Sequence, residues 1–138
     1  ADWRILRIDA PMTIHDADMH HPRQWWLRAI RSGFGYAQVW HATRHGSGPA
    51  LYRREVMRAL FWTLGVFLIG IVAAIIVPPW GILAAPALWT GQLVRLSGRM
   101  GLKKSAHLLA GKFAESIGIV RFAAAMLRNK RQGAIFYK

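Results

Sequence analysis

The sequence has no cysteine, so it has neither a disulfide framework nor a thiolate metal site. Acid is scarce as well. Six Asp and Glu stand against nineteen Lys and Arg, a formal net charge of +13. There is no internal repeat and no low-complexity tract. The sharpest absence is local. Between Ala59 and Val94 there is no Asp, Glu, Lys, Arg or His. Aqueous solvent gives a chain no reason to exclude charge so completely. A bilayer does, because a charged side chain at its centre costs about 2.5–3.5 kcal/mol even on the lenient insertion scale. A buried hairpin of a soluble protein is the competing reading, but most soluble helices keep a polar face.

Within the uncharged stretch, Ala59–Val77 comes close to the ~20 apolar residues that cross a hydrocarbon core of ~30 Å. Pro78 and Pro79 end that run, since proline cannot continue a helix. Trp80 follows, a side chain suited to the interface. A second apolar run, Gly81–Leu96, is shorter and contains Pro86 and Gln92. It crosses alongside the first or enters and returns. Charge placement favours a transmembrane hairpin. Arg53, Arg54 and Arg58 precede the first run, Arg95, Arg99, Lys103 and Lys104 follow the second, and the turn is uncharged. Because cytoplasmic flanks collect Lys and Arg, both termini are expected in the cytoplasm. The basic balance raises nucleic acid as a partner, but anionic membrane lipid explains basic flanks around an apolar hairpin more simply. No nucleic-acid partner is therefore expected.

Ahead of the hairpin, Trp3–Asp9 alternates and reads as a strand, followed by a polar loop over 13–19. The opening residues ADWRILRIDAP lack the form of a signal peptide and read as the continuation of a longer chain. His21-Pro22 starts a helix, with Pro22 where a missing N–H costs nothing. That helix is expected over Arg23–Ser32, stopping at Gly33, with a second over Tyr36–His45 and a third from Leu51 into the membrane. After the hairpin, Leu102, Ala106, Leu109, Phe113, Ile117, Val120, Ala124 and Leu127 recur at helical spacing. This amphipathic segment either lies at the membrane interface or packs on protein, and its flanking cations favour the interface. Gly111 and Gly118 on it allow close approach to another element. The expected fold is mainly α: residues 1–20 with a short strand, 21–58 a helical linker, 59–96 a transmembrane hairpin and 97–138 a basic amphipathic segment.

Few residues carry chemistry. His15, Asp16 and Asp18 have oxygen and imidazole donors for a divalent metal, although two Asp in a loop are more often turn-formers. His41 and His45 stand one turn apart, but no Glu or Cys completes a zinc site. Gln24-Trp25-Trp26-Leu27-Arg28 is the strongest local signal. The two Trp point about 100° apart on a helix, so one packs while the other is available to a ligand. Trp faces stack on sugar rings and an Arg fork suits diphosphate; an aromatic membrane belt is the bland alternative.

The run RILRIDAPMTIHDADMHHPRQWWLRAIRSGFGYA resembles the segment that follows the catalytic domain of bacterial membrane-associated family-2 glycosyltransferases. The stretch LLAGKFAESIGIVRFAAAMLRNKRQGAIFYK is similar to the tail of the same proteins. The resemblance implies a Rossmann-like catalytic domain before Ala1, absent here, which binds a nucleotide-sugar and a divalent metal (Mg or Mn) at the bacterial cytoplasmic membrane. The catalytic residues would lie there and none in this fragment. Asp16 and Asp18 come too late to be the family's metal-binding pair. Two roles carry over. His15 matches a metal contact placed after the last catalytic strand. Gln24, Trp25, Trp26 and Arg28 match, in scrambled order, a helix that contacts acceptor or diphosphate. The implied function is the C-terminal membrane anchor of an inverting transferase acting on a lipid-linked or polysaccharide glycan acceptor. The chain alone would be inactive. The rival reading is a non-enzymatic basic membrane anchor or scaffold.

Overall fold

A computed structural model of the chain describes residues 21–46 and 48–128. These residues are mainly helical, with no strand among them. The expected strand Trp3–Asp9 and His15 lie outside the described residues.

Helix α1 spans Pro22–Thr43. Pro22 occupies its first position as expected, and Gln24 closes the start. The Gln24 backbone N–H donates to the His21 carbonyl, and the Gln24 Oε1 accepts the His21 N–H at 3.2 Å. The expected break at Gly33 does not occur; α1 runs straight through Gly33 and Gly35 as one helix. Gly33 is there for a neighbour. A Cβ at this position would sit inside the backbone carbonyl of Glu115 on the last helix. The glycine therefore gives two backbones room to touch, at a modest cost in helix propensity.

After a turn in which Tyr52 adopts φ 56° and stacks on Tyr36 at 4.9 Å, one uninterrupted helix runs Arg53–Ile76. It consists of α2 (Arg53–Leu60), a π-helical turn (Phe61–Gly65) and α3 (Val66–Ile76). At 1.5 Å per residue its 24 residues reach about 36 Å. Its mean hydropathy over the best 18 residues is 2.6. Only 22 % of that window is buried inside the molecule, whereas the core helix of a soluble protein is mostly buried. Among the described residues it is the one helix long and apolar enough to cross a membrane. Val77 ends it, just before Pro78, as expected.

A 3₁₀ turn, Trp80–Leu83, leads into α4 (Ala84–Met100), which continues four residues past the expected boundary at Leu96. Pro86 sits in the first turn of α4, where its missing N–H has no intrahelical acceptor to lose, so it does not interrupt the helix. Helix α4 folds back along α3. A Cβ on Gly70 would approach the Ala85 methyl at 2.9 Å, and Gly81 rests against the Ala73 carbonyl. Gly101, at φ 83°, then makes the sharp turn into α5 (Leu102–Leu127).

Most of the apolar stripe of α5 is not packed on protein; Leu109, Phe113 and Ala124 are half-buried. Leu102, Ile117, Val120 and Leu127 are exposed. The buried face is built of small residues: Ser105, Gly111, Ala114, Ser116 and Gly118, with Ile119. Gly118 lies directly against the Ile30 carbonyl and Phe34 N–H of α1, so the close approach expected of it is present. Helices α1 and α5 run in the same direction, with Trp25 against Gly111, Gly33 against Glu115, and Phe34 and His41 edge-on to Phe122. Small residues let backbones approach and replace large-chain burial with extended van der Waals contact. The core that α2 adds to this pair is Val56 and Ala59 against Ala37 and Ile119.

Candidate functional site

The sequence-selected cluster at the start of α1 is only partly available to a ligand. The Gln24 carboxamide oxygen is engaged as a helix cap. Trp25 is half-buried, in contact with Gly111 and edge-on to His107 at 5.4 Å. Trp26, 6.0 Å from Trp25, lines a shallow apolar groove with Trp89, Leu93, Leu109 and Phe113. The two indoles thus flank α5 on different sides, as their angular offset requires. Arg28 is exposed on the outer face and already interacts with another residue. Among the described residues no three His, Cys, Asp or Glu side chains come together. His15, the residue expected to contact Mg or Mn, lies outside the described residues.

A second site was not visible in the sequence. Arg58 at the end of α2, Arg95 and Arg99 on α4, and Lys112 on α5 line one pocket of about 420 Å³. Trp62, Gln92, Leu96, Leu108 and Leu109 complete its wall. Arg58 and Arg95 are the residues immediately outside the two ends of the uncharged stretch. They are far apart in sequence and meet because α4 returns alongside α3.

Two devices hold that return. The first is polar. The Val66 N–H donates to the Phe61 and Thr63 carbonyls across the π-helical turn, and the Trp62 carbonyl between them accepts the Trp89 indole N–H at 2.8 Å. The Thr63 hydroxyl lies 2.8 Å from the Ala59 carbonyl and 2.8 Å from the Ser116 hydroxyl of α5; donating its one hydrogen to Ala59, it accepts from Ser116. A buried hydroxyl needs such partners, and this pair lies wholly inside the molecule. The second device is aromatic. Phe67, Trp89 and Phe113, one from each of α3, α4 and α5, meet with centroids 5.0 and 5.4 Å from the central indole, in tilted and edge-on geometry.

The electrostatics of the pocket are one-sided. Among the described residues the acids are Glu55 and Glu115. Glu115 is paired with Lys112 at 2.7 Å. Among the described residues no acid lines the pocket, where Arg58, Arg95 and Arg99 stand together. Glu115 also acts on the opposite side. Burial pushes the Tyr36 hydroxyl above its ordinary pKa, and the negative charges of Glu115, Tyr52 and Glu55 push in the same direction.

Compared with protein-family models, with curated proteins and with solved structures, the chain matches none.

Proposed function

We propose that this chain is a membrane anchor. The helix Arg53–Ile76 crosses the bilayer, the segment from Trp80 through α4 returns beside it, and both basic ends stay on the cytoplasmic side. The single observation that carries the reading is the outer surface of the apolar helix. Leu64, Leu68, Ile71, Ile75 and Ile76 are all exposed, Ile75 by 74 %. Contiguous apolar surface on this scale needs a cover, and lipid is a cover of the right length and polarity. Cations at both ends of the hairpin support the cytoplasmic assignment. The exposed side of α5 then lies at the anionic leaflet.

On the resemblance, the anchored partner is the catalytic domain of an inverting family-2 glycosyltransferase at the bacterial cytoplasmic membrane. It would transfer sugar from a nucleotide-sugar to a lipid-linked or polysaccharide acceptor. The engagement of Gln24 and Trp25 in the fold favours the alternative, a basic anchor or scaffold without chemistry of its own. The reading frame ahead of Ala1 separates the two. An alternating strand-helix domain containing Asp-x-Asp and Glu-Asp supports the transferase; a start codon there leaves the scaffold.

The absence of cysteine makes the topology test clean. Single cysteines at Gly46, Ile82 and Lys103 are probed with a membrane-impermeant maleimide in oriented vesicles. Gly46→Cys and Lys103→Cys should label from one side and Ile82→Cys from the other. Labelling of Gly46→Cys and Lys103→Cys from opposite sides would mean a single crossing. Labelling of all three from both sides would remove the anchor.

A further inference from the structure

We infer that the pocket between α2, α4 and α5 is a binding site for a phosphate group, supplied by the headgroup of an anionic phospholipid. The inference rests on the membrane reading and adds a specific site to it. Three independent observations converge. The first is position. The pocket contains the first charge on each side of the uncharged stretch, Arg58 and Arg95, so in an inserted hairpin it lies at the depth where hydrocarbon gives way to headgroups. The second is charge. Arg58, Arg95 and Arg99 line it, no acid among the described residues does, and the fourth cation of the wall, Lys112, is paired with Glu115. Three guanidinium groups around one cavity repel each other, and an anion relieves that repulsion. Arginine rather than lysine provides most of the charge, and its planar fork matches two phosphate oxygens at once.

The third is shape. A free inorganic anion needs only polar walls. This pocket also has Trp62, Leu96, Leu108 and Leu109, which suit the glycerol and first acyl carbons below a phosphate. Gln92 adds a neutral amide able to donate to an ester or glycerol oxygen. Basic pockets between membrane helices on the cytoplasmic side are built to hold phospholipid headgroups in this way.

The test is native mass spectrometry of the full chain released from mixed micelles that contain phosphatidylglycerol or phosphatidylcholine, with a third arm of inorganic phosphate and neutral detergent. Two variants carry the same loss of charge. Arg58→Gln with Arg95→Gln and Arg99→Gln empties the pocket of arginine. Arg53→Gln with Arg54→Gln and Lys103→Gln removes three cations outside it. Phosphatidylglycerol should bind in preference to phosphatidylcholine, and the pocket triple variant should lose about tenfold or more of that affinity. The control should lose less than about twofold. Gln92→Glu, which keeps every arginine and adds one carboxylate, should also weaken phosphatidylglycerol binding and guards against misfolding of the triple variant. Equal losses in the two triple variants would overturn the pocket, since diffuse charge would then explain the binding. Saturation by inorganic phosphate with no preference between the lipids would overturn the lipid source. Vesicle flotation of the wild-type chain is read alongside. A chain that floats but shows no pocket dependence sinks the site, while a chain that fails to float sinks the membrane reading instead.

Discussion

The α1–α5 pair and the α3–α4 pair are joined by the same device and finished in opposite ways. Each is closed by glycine against backbone or methyl: Gly33 and Gly118 in the first, Gly70 and Gly81 in the second. Their outer faces differ. The first mixes Arg23, Arg28, Arg31 and Arg121 with Ile117 and Val120, whereas α3 in the second presents apolar chains alone, Leu68, Ile71 and Ile75 among them. Contact geometry between helices is therefore no guide to the medium around them. The unpacked face is, because it is the part of the helix that the solvent selects.

The largest effect should come from filling the first seam. In Gly118→Val the new side chain would enter the backbone of Ile30 and Phe34, so the pair should lose more than about 3 kcal/mol in equilibrium unfolding in detergent. Gly35→Ala, where nothing lies within reach of a Cβ, should instead stabilise by about 0.5–1 kcal/mol. Similar effects at the two positions would mean that helix propensity, not close approach, sets the role of glycine in α1 and α5.

Next comes a charge on the apolar face. Ile71→Asp should cost about 3 kcal/mol of insertion, read as the inserted fraction in a translocation assay. Gln38→Asp, on the exposed side of α1, should leave insertion unchanged. If both variants behaved alike, the contrast between the two faces would have no physical content.

A smaller effect is expected at the polar link between the regions. Thr63→Val and Ser116→Ala each remove one side of the buried hydroxyl pair, and a double-mutant cycle should give a coupling of about 0.6–1 kcal/mol. A coupling indistinguishable from zero would show that the aromatic cluster alone holds α3 to α5.

The smallest effect is confined to high pH. Tyr36 has its folded pKa raised by burial and by nearby negative charge, above the unfolded value of about 10. Between the two values the folded chain keeps a proton that the unfolded chain has released. Stability is thus complete below about pH 10 and declines as pH rises through the folded pKa. Tyr36→Phe should flatten that decline in pH-dependent unfolding, while tyrosinate absorbance of the wild type should rise late. An unchanged slope in Tyr36→Phe would move the titration to another group.

Much of the fold was legible, for reasons that can be named. Pro22, Pro78 and the uncharged run act locally, through steric and transfer terms that need no knowledge of neighbours. Gly33 was misread because a glycine that ends a helix and a glycine that admits another backbone have the same sequence context. The distinguishing partner, Glu115, is remote in the chain. The packed face of α5 was hidden for a related reason. Periodicity marks apolar residues, whereas this helix packs through its smallest ones and leaves Ile117 and Val120 outward. At the candidate site, Gln24 stands three residues after His21, the spacing of a capping pair, so its engagement at the helix start was open to a local reading. The arginine pocket was hidden because its members read as two separate flanks until Gly70 and Ala85 bring α4 back.

The π-helical turn at Phe61–Gly65 has an angular consequence. Each residue of an ordinary helix advances about 100° around the axis, and a widened turn absorbs one extra residue without completing the corresponding rotation. Everything from Val66 onward is therefore out of phase with Arg53–Leu60 by about one residue. Val56 and Ala59 address the Ala37–Ile119 core, whereas Gly70 and Ala73 address Ala85 and Gly81. A single continuous helix serves two neighbours on different sides with no loop between them. The turn works as a phase plate within the helix, setting which side of the rod each neighbour meets.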